Sequence, residues 1–180
     1  MVSREWAAAL DRYNRWMNRK VFALAGTLSD EVRKRDAGAF FKSIHGTLNH
    51  ILIADRVWMG RLQGVVLPDG LMGPGIASLD QDLCADFGEL SQERERTDQE
   101  ISRWIAGVTE SDLATKLRFV RRGVQQEAPL WSVIAHMFNH QTHHRGQVTT
   151  LFMQFGHDPG VTDLYAMLRE EAQPKGAQAQ

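Results

Sequence analysis

The stretch HMFNHQTHHRGQ, residues 136–147, places four of the chain's seven histidines within nine positions. The apolar residues around it recur every three or four positions, which predicts a long α-helix. An α-helix turns about 100° per residue, so side chains four residues apart lie on nearly the same side. We therefore expect His136, His140 and His144 to form one row on a face that packs against the rest of the protein.

Two histidines of this row can bind one metal ion, because Cβ atoms four residues apart on a helix are only about 5–6 Å from each other. His136 and His144 are about 12 Å apart along the axis, so all three cannot share one ion. A third ligand must come from elsewhere, and His50 is the inward-facing histidine of the second helix. Geometry leaves open whether His136 or His144 pairs with His140. The alternative is a polar seam of hydrogen-bonded imidazoles without a metal.

The same helical projection sorts the other polar residues of the second helix. His45 and Asn49 fall on its polar side, so we expect both side chains to face water. Asp55 falls within the apolar stripe, where an unpaired carboxylate would be unfavourable. We therefore expect Asp55 to form a buried ion pair with an arginine.

The periodicity of the whole chain is mainly helical, and we predict an all-α protein. The expected architecture is an antiparallel four-helix bundle with a short additional C-terminal helix and a small β-hairpin before the fourth helix. We expect a single domain over residues 1–173 and a disordered tail over 174–180. The predicted helices run from Ser3 to Gly26, from about Ala39 to Leu62, from a capping box at Ser78 onward, from Pro129 to about Gly156, and from Thr162 to about Glu171, with the hairpin around Gly123.

The composition narrows the class of protein. Twenty-one basic and 22 acidic residues leave a net charge of −1, which argues against a broad surface for nucleic acid or acidic membranes. Cys84 is the single cysteine, which favours a reducing compartment. No run of 18 or more apolar residues is present in the sequence. We expect a cytoplasmic protein with neither nucleic-acid nor membrane partners.

Two motifs carry a resemblance to a known family. The stretches SIHGTLNHILIADRVWMGRLQG (43–64) and HMFNHQTHHRGQVTTLFMQFG (136–156) resemble the DinB family of bacterial helical-bundle proteins. The similarity extends from YNRWMN (13–18) to GHDPGVTDL (156–164). The resemblance implies an antiparallel four-helix bundle that is usually a homodimer.

The resemblance also implies a metal site. In the family, one histidine of the second helix and two of an HxxxH pair on the fourth bind a divalent ion. Carried over to this sequence, the ligands are His50, His140 and His144, and His136 and His143 become flanking residues with a structural or supporting role. Imidazole ligands suit several divalent metals, and we expect zinc or nickel.

Three imidazoles leave at least one coordination position open, as in catalytic rather than structural zinc sites. We expect a metal-dependent enzyme, either a transferase using a small-molecule thiol or electrophile, as the resemblance implies, or a hydrolase. Gln147, one turn beyond His144, is a candidate to contact a water on the metal or the substrate, or else to cap a neighbouring helix. The alternative is a non-catalytic metal-binding stress-response or interaction module.

Overall fold

The computed structural model describes residues 3–65, 71–73, 75–121 and 123–173. Within these ranges the chain is mostly helical, with seven helices and one two-stranded antiparallel sheet. The four long helices are α1 (Arg4–Gly26), α3 (Ile44–Leu62), α4 (Phe87–Gly107) and α6 (Leu130–Gln154). The shorter elements are α2 (Asp30–Lys34), α5 (Glu110–Leu113), β1 (Lys116–Arg121), β2 (Val124–Pro129) and α7 (Leu164–Ala172).

Local sequence fixes where the long helices begin. The side chains of Ser3, Ser43 and Asp86 each accept a hydrogen bond from a backbone N–H in the first turn of α1, α3 and α4. This interaction satisfies one of the donors that a helix start leaves unpaired. Pro129 precedes α6 with a φ of −56°. The predicted starts at Ser3 and Pro129 are thereby confirmed.

The predicted hairpin and C-terminal helix are also confirmed. Strands β1 and β2 pair with Arg121 opposite Val124. Gly123, in the turn between them, has a φ of +73°, a left-handed conformation that glycine adopts without strain. Helix α7 covers most of the predicted segment. The tail over 174–180 lies outside the described residues.

Two predicted helix starts are wrong. Helix α3 begins at Ile44 rather than near Ala39, because residues 39–42 form a tight turn in which Lys42 has a φ of +65°. Helix α4 begins at Phe87 rather than at Ser78. Gln81 does accept hydrogen bonds from the backbone at 77 and 78, as in a capping box, but the chain then follows an irregular path along α3.

Each long helix packs against two others. Helix α1 contacts α4 and α6, and α3 contacts the same two helices. The apolar core between them is nearly inaccessible to solvent at Leu48, Leu52, Ile101, Ile134 and Phe152. Among the residues described, no helix combines the length and the apolar character needed to span a bilayer.

A buried polar network joins all four long helices. Asp55 of α3 accepts a 2.6 Å hydrogen bond from Arg94 of α4, as the predicted ion pair requires, and a second from Gln141 of α6. Arg94 also pairs with Asp98 at 2.9 Å. Asn18 of α1 donates to Asp98 at 3.0 Å. Burial raises the pKa of Asp55 to about 6 against the opposing effect of Arg94, so the carboxylate remains mostly ionised at neutral pH.

We expect Asp55→Ala to lower the free energy of unfolding by about 3–5 kcal/mol, because the substitution removes one partner of a buried charge pair. The control is Glu127→Ala on the exposed hairpin, whose carboxylate pairs with Lys116 and Arg118. That change should cost less than about 1 kcal/mol. Urea unfolding measures both, and equal effects would show that the network does not hold the four helices together.

Candidate metal centre

Three histidines from two helices meet at one point. The Nε2 atom of His50 on α3 lies 3.2 Å from the Nε2 atoms of both His140 and His144 on α6. The Nε2 atoms of His140 and His144 are 3.1 Å apart. His50 and His144 are buried and His140 is half-buried. These three residues are called the histidine triad below, and their ligand atoms are close enough to hold one metal ion.

Two rings of the triad are oriented by hydrogen bonds on their far side. Nδ1 of His50 lies 2.8 Å from the carbonyl oxygen of Leu79. Nδ1 of His144 lies 2.7 Å from Oε1 of Gln147. Both partners are oxygens that only accept, so each Nδ1 must carry the hydrogen. In the neutral rings, the Nε2 atoms of His50 and His144 therefore present lone pairs to each other.

This arrangement fits a divalent cation. A tetrahedral ion about 2.0–2.1 Å from each nitrogen would place the nitrogens roughly 3.3 Å apart, close to the observed separations. His140 could donate one hydrogen to a neighbouring lone pair, but a neutral triad has no donor for the other. A cation at the centre would satisfy all three nitrogens at once.

An additional proton on one imidazole could also supply the missing hydrogen-bond donor, but burial disfavours protonation of the triad. Desolvation, together with the neighbouring His144 and His50, lowers the pKa of His140 to about 3. Desolvation likewise lowers the pKa of His144 to about 4, although its hydrogen bond to Gln147 opposes the shift. The pKa of His50 is lowered by burial as well. At neutral pH the triad therefore consists of uncharged rings with lone pairs available to a metal.

An aromatic ring covers one side of the triad. Phe41 stacks on His50 with ring centroids 3.7 Å apart and meets the edge of His144 at 5.5 Å. The turn that carries Phe41 lies directly on the first turn of α3. A Cβ atom at Gly46 would be 2.3 Å from the Phe41 carbonyl oxygen, so this close approach requires glycine.

Comparison with known proteins identifies the family. A model of the DinB family matches residues 4–176. The chain belongs to the DinB family. It is 24% identical over 168 residues to "Protein DinB" of Bacillus subtilis (strain 168), an alignment that covers 88% of this chain and 91% of the relative.

A solved structure supports the DinB fold. The crystal structure of a DinB-like protein from Bacillus cereus ATCC 10987 superposes with a TM-score of 0.59. It covers 82% of this chain and 91% of that chain at 20% sequence identity. At this level of identity the likeness concerns the fold alone.

The DinB chain does not bring every predicted site residue to the triad. His136 is exposed rather than packed, and its ring centroid lies 5.9 Å from that of His140. His143 is also exposed, and its Nε2 lies 3.4 Å from Nε2 of Gln147. Gln147 contacts His144 instead of capping a neighbouring helix. The pair that meets His50 is therefore His140 with His144.

The predictions for His45 and Asn49 are wrong, since both are buried. His45 Nε2 lies 2.9 Å from the carbonyl oxygen of Cys84. Asn49 donates to the same carbonyl at 3.1 Å and accepts from the backbone N–H of Cys84 at 2.9 Å. The irregular segment over residues 77–86 therefore covers the polar side of α3. The two hydrogen bonds between the Asn49 side chain and the backbone of Cys84 are called the Cys84 clamp below.

Two contributors to the metal centre, the Leu79 carbonyl and Phe41, were not predicted from the sequence. The carbonyl of Leu79 is a backbone group, so no residue type marks it. Phe41 belongs to the apolar pattern of the second helix, yet it lies before the helix in a turn. The only local signal for that turn is Gly46 three residues after Ser43, and a glycine near a helix start is not specific.

We expect the metal-free protein to keep His50 and His144 as neutral Nδ1–H tautomers, with the rings of His140 and His144 uncharged down to about pH 5 because burial lowers the pKa of both. Unfolded histidines titrate near 6.5, so only the unfolded chain takes up these protons as the pH falls below that value. The free energy of unfolding should therefore decrease between about pH 6.5 and pH 4. Imidazole ¹⁵N chemical shifts and urea unfolding measure the two effects.

The control is the double variant His140→Asn, His144→Asn, which should lose most of this pH dependence. A hydrogen on Nε2 of His50 or His144 at neutral pH, or titration of either ring near 6.5, would contradict the geometry.

Proposed function

We propose that the protein binds one divalent metal ion through His50, His140 and His144 and acts as a metal-dependent enzyme on a small molecule. Zinc or nickel is the proposed ion, because imidazole nitrogens suit both. The proposed reaction is a transfer to or from a small-molecule thiol or electrophile, or a hydrolysis.

The observation that carries the proposal is the convergence of three Nε2 atoms within 3.2 Å of one another, two of them with their hydrogens committed elsewhere. Among the described residues, the cluster contains no fourth histidine, cysteine or carboxylate. A site with three protein ligands keeps a position for a small molecule, whereas structural zinc sites usually have four.

The protein's own residues position and shelter the reaction. A bound divalent ion would supply Lewis acidity, which lowers the pKa of a thiol or a water that reaches it. Leu79 and Gln147 hold two imidazoles in the tautomer that directs Nε2 inward. Phe41 excludes water from the stacked face of His50. The exposed His136 and His143 flank the triad and are available to contact a substrate.

The architecture and assembly belong to the same proposal. We propose that the four long helices form an antiparallel four-helix bundle, which the packing of α1 and α3 against both α4 and α6 supports. We propose a homodimer from the family resemblance, with the protein acting in the cytoplasm.

We expect His140→Ala to abolish stoichiometric metal binding, because two imidazoles remain. Gln147→Ala should retain the ion with an affinity about 10–100-fold lower, because the orienting hydrogen bond to His144 is lost. The control is His136→Ala, which should bind like the unmodified protein. Metal analysis after mild purification and competition with a chromophoric chelator provide the measurements. An undiminished metal content in His140→Ala would refute the ligand assignment.

Turnover tests the enzymatic part of the proposal. The metal-loaded protein should convert at least one member of a panel of thiols, electrophiles and esters, and His140→Ala should not. If the protein binds metal but shows no such reaction, and metal removal strongly lowers the melting temperature, the ion has a structural or sensory role.

A further inference from the structure

Arg61 occupies an unusual position at the C-terminal end of α3. Its half-buried guanidinium lies 4.5 Å from the ring centroid of Trp58 and 5.1 Å from that of Phe119 on β1. The two aromatic rings are themselves in edge contact at 5.6 Å. Aromatic faces hold a guanidinium by its plane and leave its N–H edge available for hydrogen bonds.

Aromatic rings connect this position to the histidine triad. Trp58 meets the edge of His136 at 5.1 Å, and the ring of His136 lies 5.9 Å from that of His140. Side chains on an α-helix lean toward its N-terminus, so Arg61 reaches back over Trp58 in the direction of His50. Arg61 follows His50 by 11 residues, or about three helical turns, so the guanidinium lies on the order of 15 Å from the triad.

A second arginine lies on the same side. Alternate residues of a strand share a face, so Arg121 faces the same way as Leu117 and Phe119, which pack toward the helices. Arg121 is close enough to lower the pKa of Arg61 electrostatically, in addition to the larger effect of burial.

The basic residues on the outer face of the hairpin form ion pairs, whereas the arginines beside its inner face form none with the described residues. Lys116 and Arg118 pair with Glu127 at 2.5 Å and 2.9 Å on the outer face. Within the described ranges, neither Arg61 nor Arg121 forms an ion pair with a carboxylate. Two like charges, one of them partly desolvated, are therefore left together. An anion would relieve both the repulsion and the desolvation.

We infer that Arg61 and Arg121 form an anion-binding site at the far end of the row of rings, Trp58 and His136, that leads to the histidine triad. The inference rests on the proposed function: the small molecule that reaches the triad carries a carboxylate or a phosphate on the order of 15 Å from its reacting atom. The aromatic wall of Trp58, Phe119 and His136 contacts the chain that connects the two groups.

The test uses the protein loaded with Co²⁺, whose visible spectrum and sulfur-to-cobalt absorption report a thiol at the metal. Mercaptoalkanoates of increasing chain length are titrated beside the matching mercaptoalkyl phosphates and the uncharged mercaptoalkanols. At one chain length, an anionic thiol should bind about tenfold or more tightly than the alkanol of the same length. The tighter of the two anions identifies the group that the site prefers.

The variants Arg61→Gln and Arg121→Gln should each remove most of this preference and leave the affinity for the alkanol unchanged. Arg118→Gln is the matched control, because it removes the same charge from the opposite face of the same strand. Arg121 is exposed near the hairpin turn, so its replacement should not disturb folding even if that of Arg61 does.

Each outcome decides a separate question. If alkanols bind but anionic thiols bind no more tightly at any length, or if Arg118→Gln has the same effect as Arg121→Gln, the anion site is refuted. If no thiol changes the cobalt spectrum, the thiol-dependent part of the proposed function fails. The anion site is then judged by whether butyrate or inorganic phosphate shifts the Arg61 Nε–H and Trp58 indole N–H resonances, and unshifted resonances overturn it.

Discussion

The buried contact between Asp55 and Gln141 sets the position of α3 against α6, and the candidate metal centre depends on that position. Gln141 immediately follows His140, and Asp55 lies five residues after His50 in the chain. A slip of one helical turn along either axis would move the imidazoles by about 5.4 Å. Nitrogen separations of 3.1–3.2 Å could not survive such a slip. The ion pair of Asp55 with Arg94 makes such a slip energetically unfavourable, because the slip would leave buried charges unpaired.

Adjacent residues of α6 have two different roles, one in packing against α1 and α3 and one in the triad. Gln141 and Arg145 are almost completely buried and make hydrogen bonds with α1 and α3. His140 and His144, each one position earlier, are rotated by about 100° and face the triad. The helix thus carries a stabilising row and a ligand row side by side. Together with His50, the ligand row lacks a hydrogen, since two neutral lone pairs converge on the one hydrogen that His140 can donate.

Helical periodicity was sufficient to predict the long helices, the partnership of His50 with the α6 row and the buried pairing of Asp55. All of these lie on regular helices, where spacing determines direction. Geometry alone could not choose between the two α6 pairs, and the family resemblance supplied that choice. The predictions for His45 and Asn49 failed because a polar side of a helix was equated with a solvated side. The segment after residue 77 has a helical start signal, but its hydrogen bonds to α3 prevail over the local preference.

The Cys84 clamp bears on how this site can vary through evolution. The oxygen that orients His50 belongs to the backbone at Leu79, whose side chain is 38% exposed. Many amino acids could therefore stand at position 79 and supply the same acceptor. The segment that carries this carbonyl is held instead by Asn49, the immediate chain neighbour of His50, through its hydrogen bonds to Cys84. One pair of adjacent residues thus encodes both a ligand and an anchor for the loop that orients it, while position 79 itself stays free to diverge.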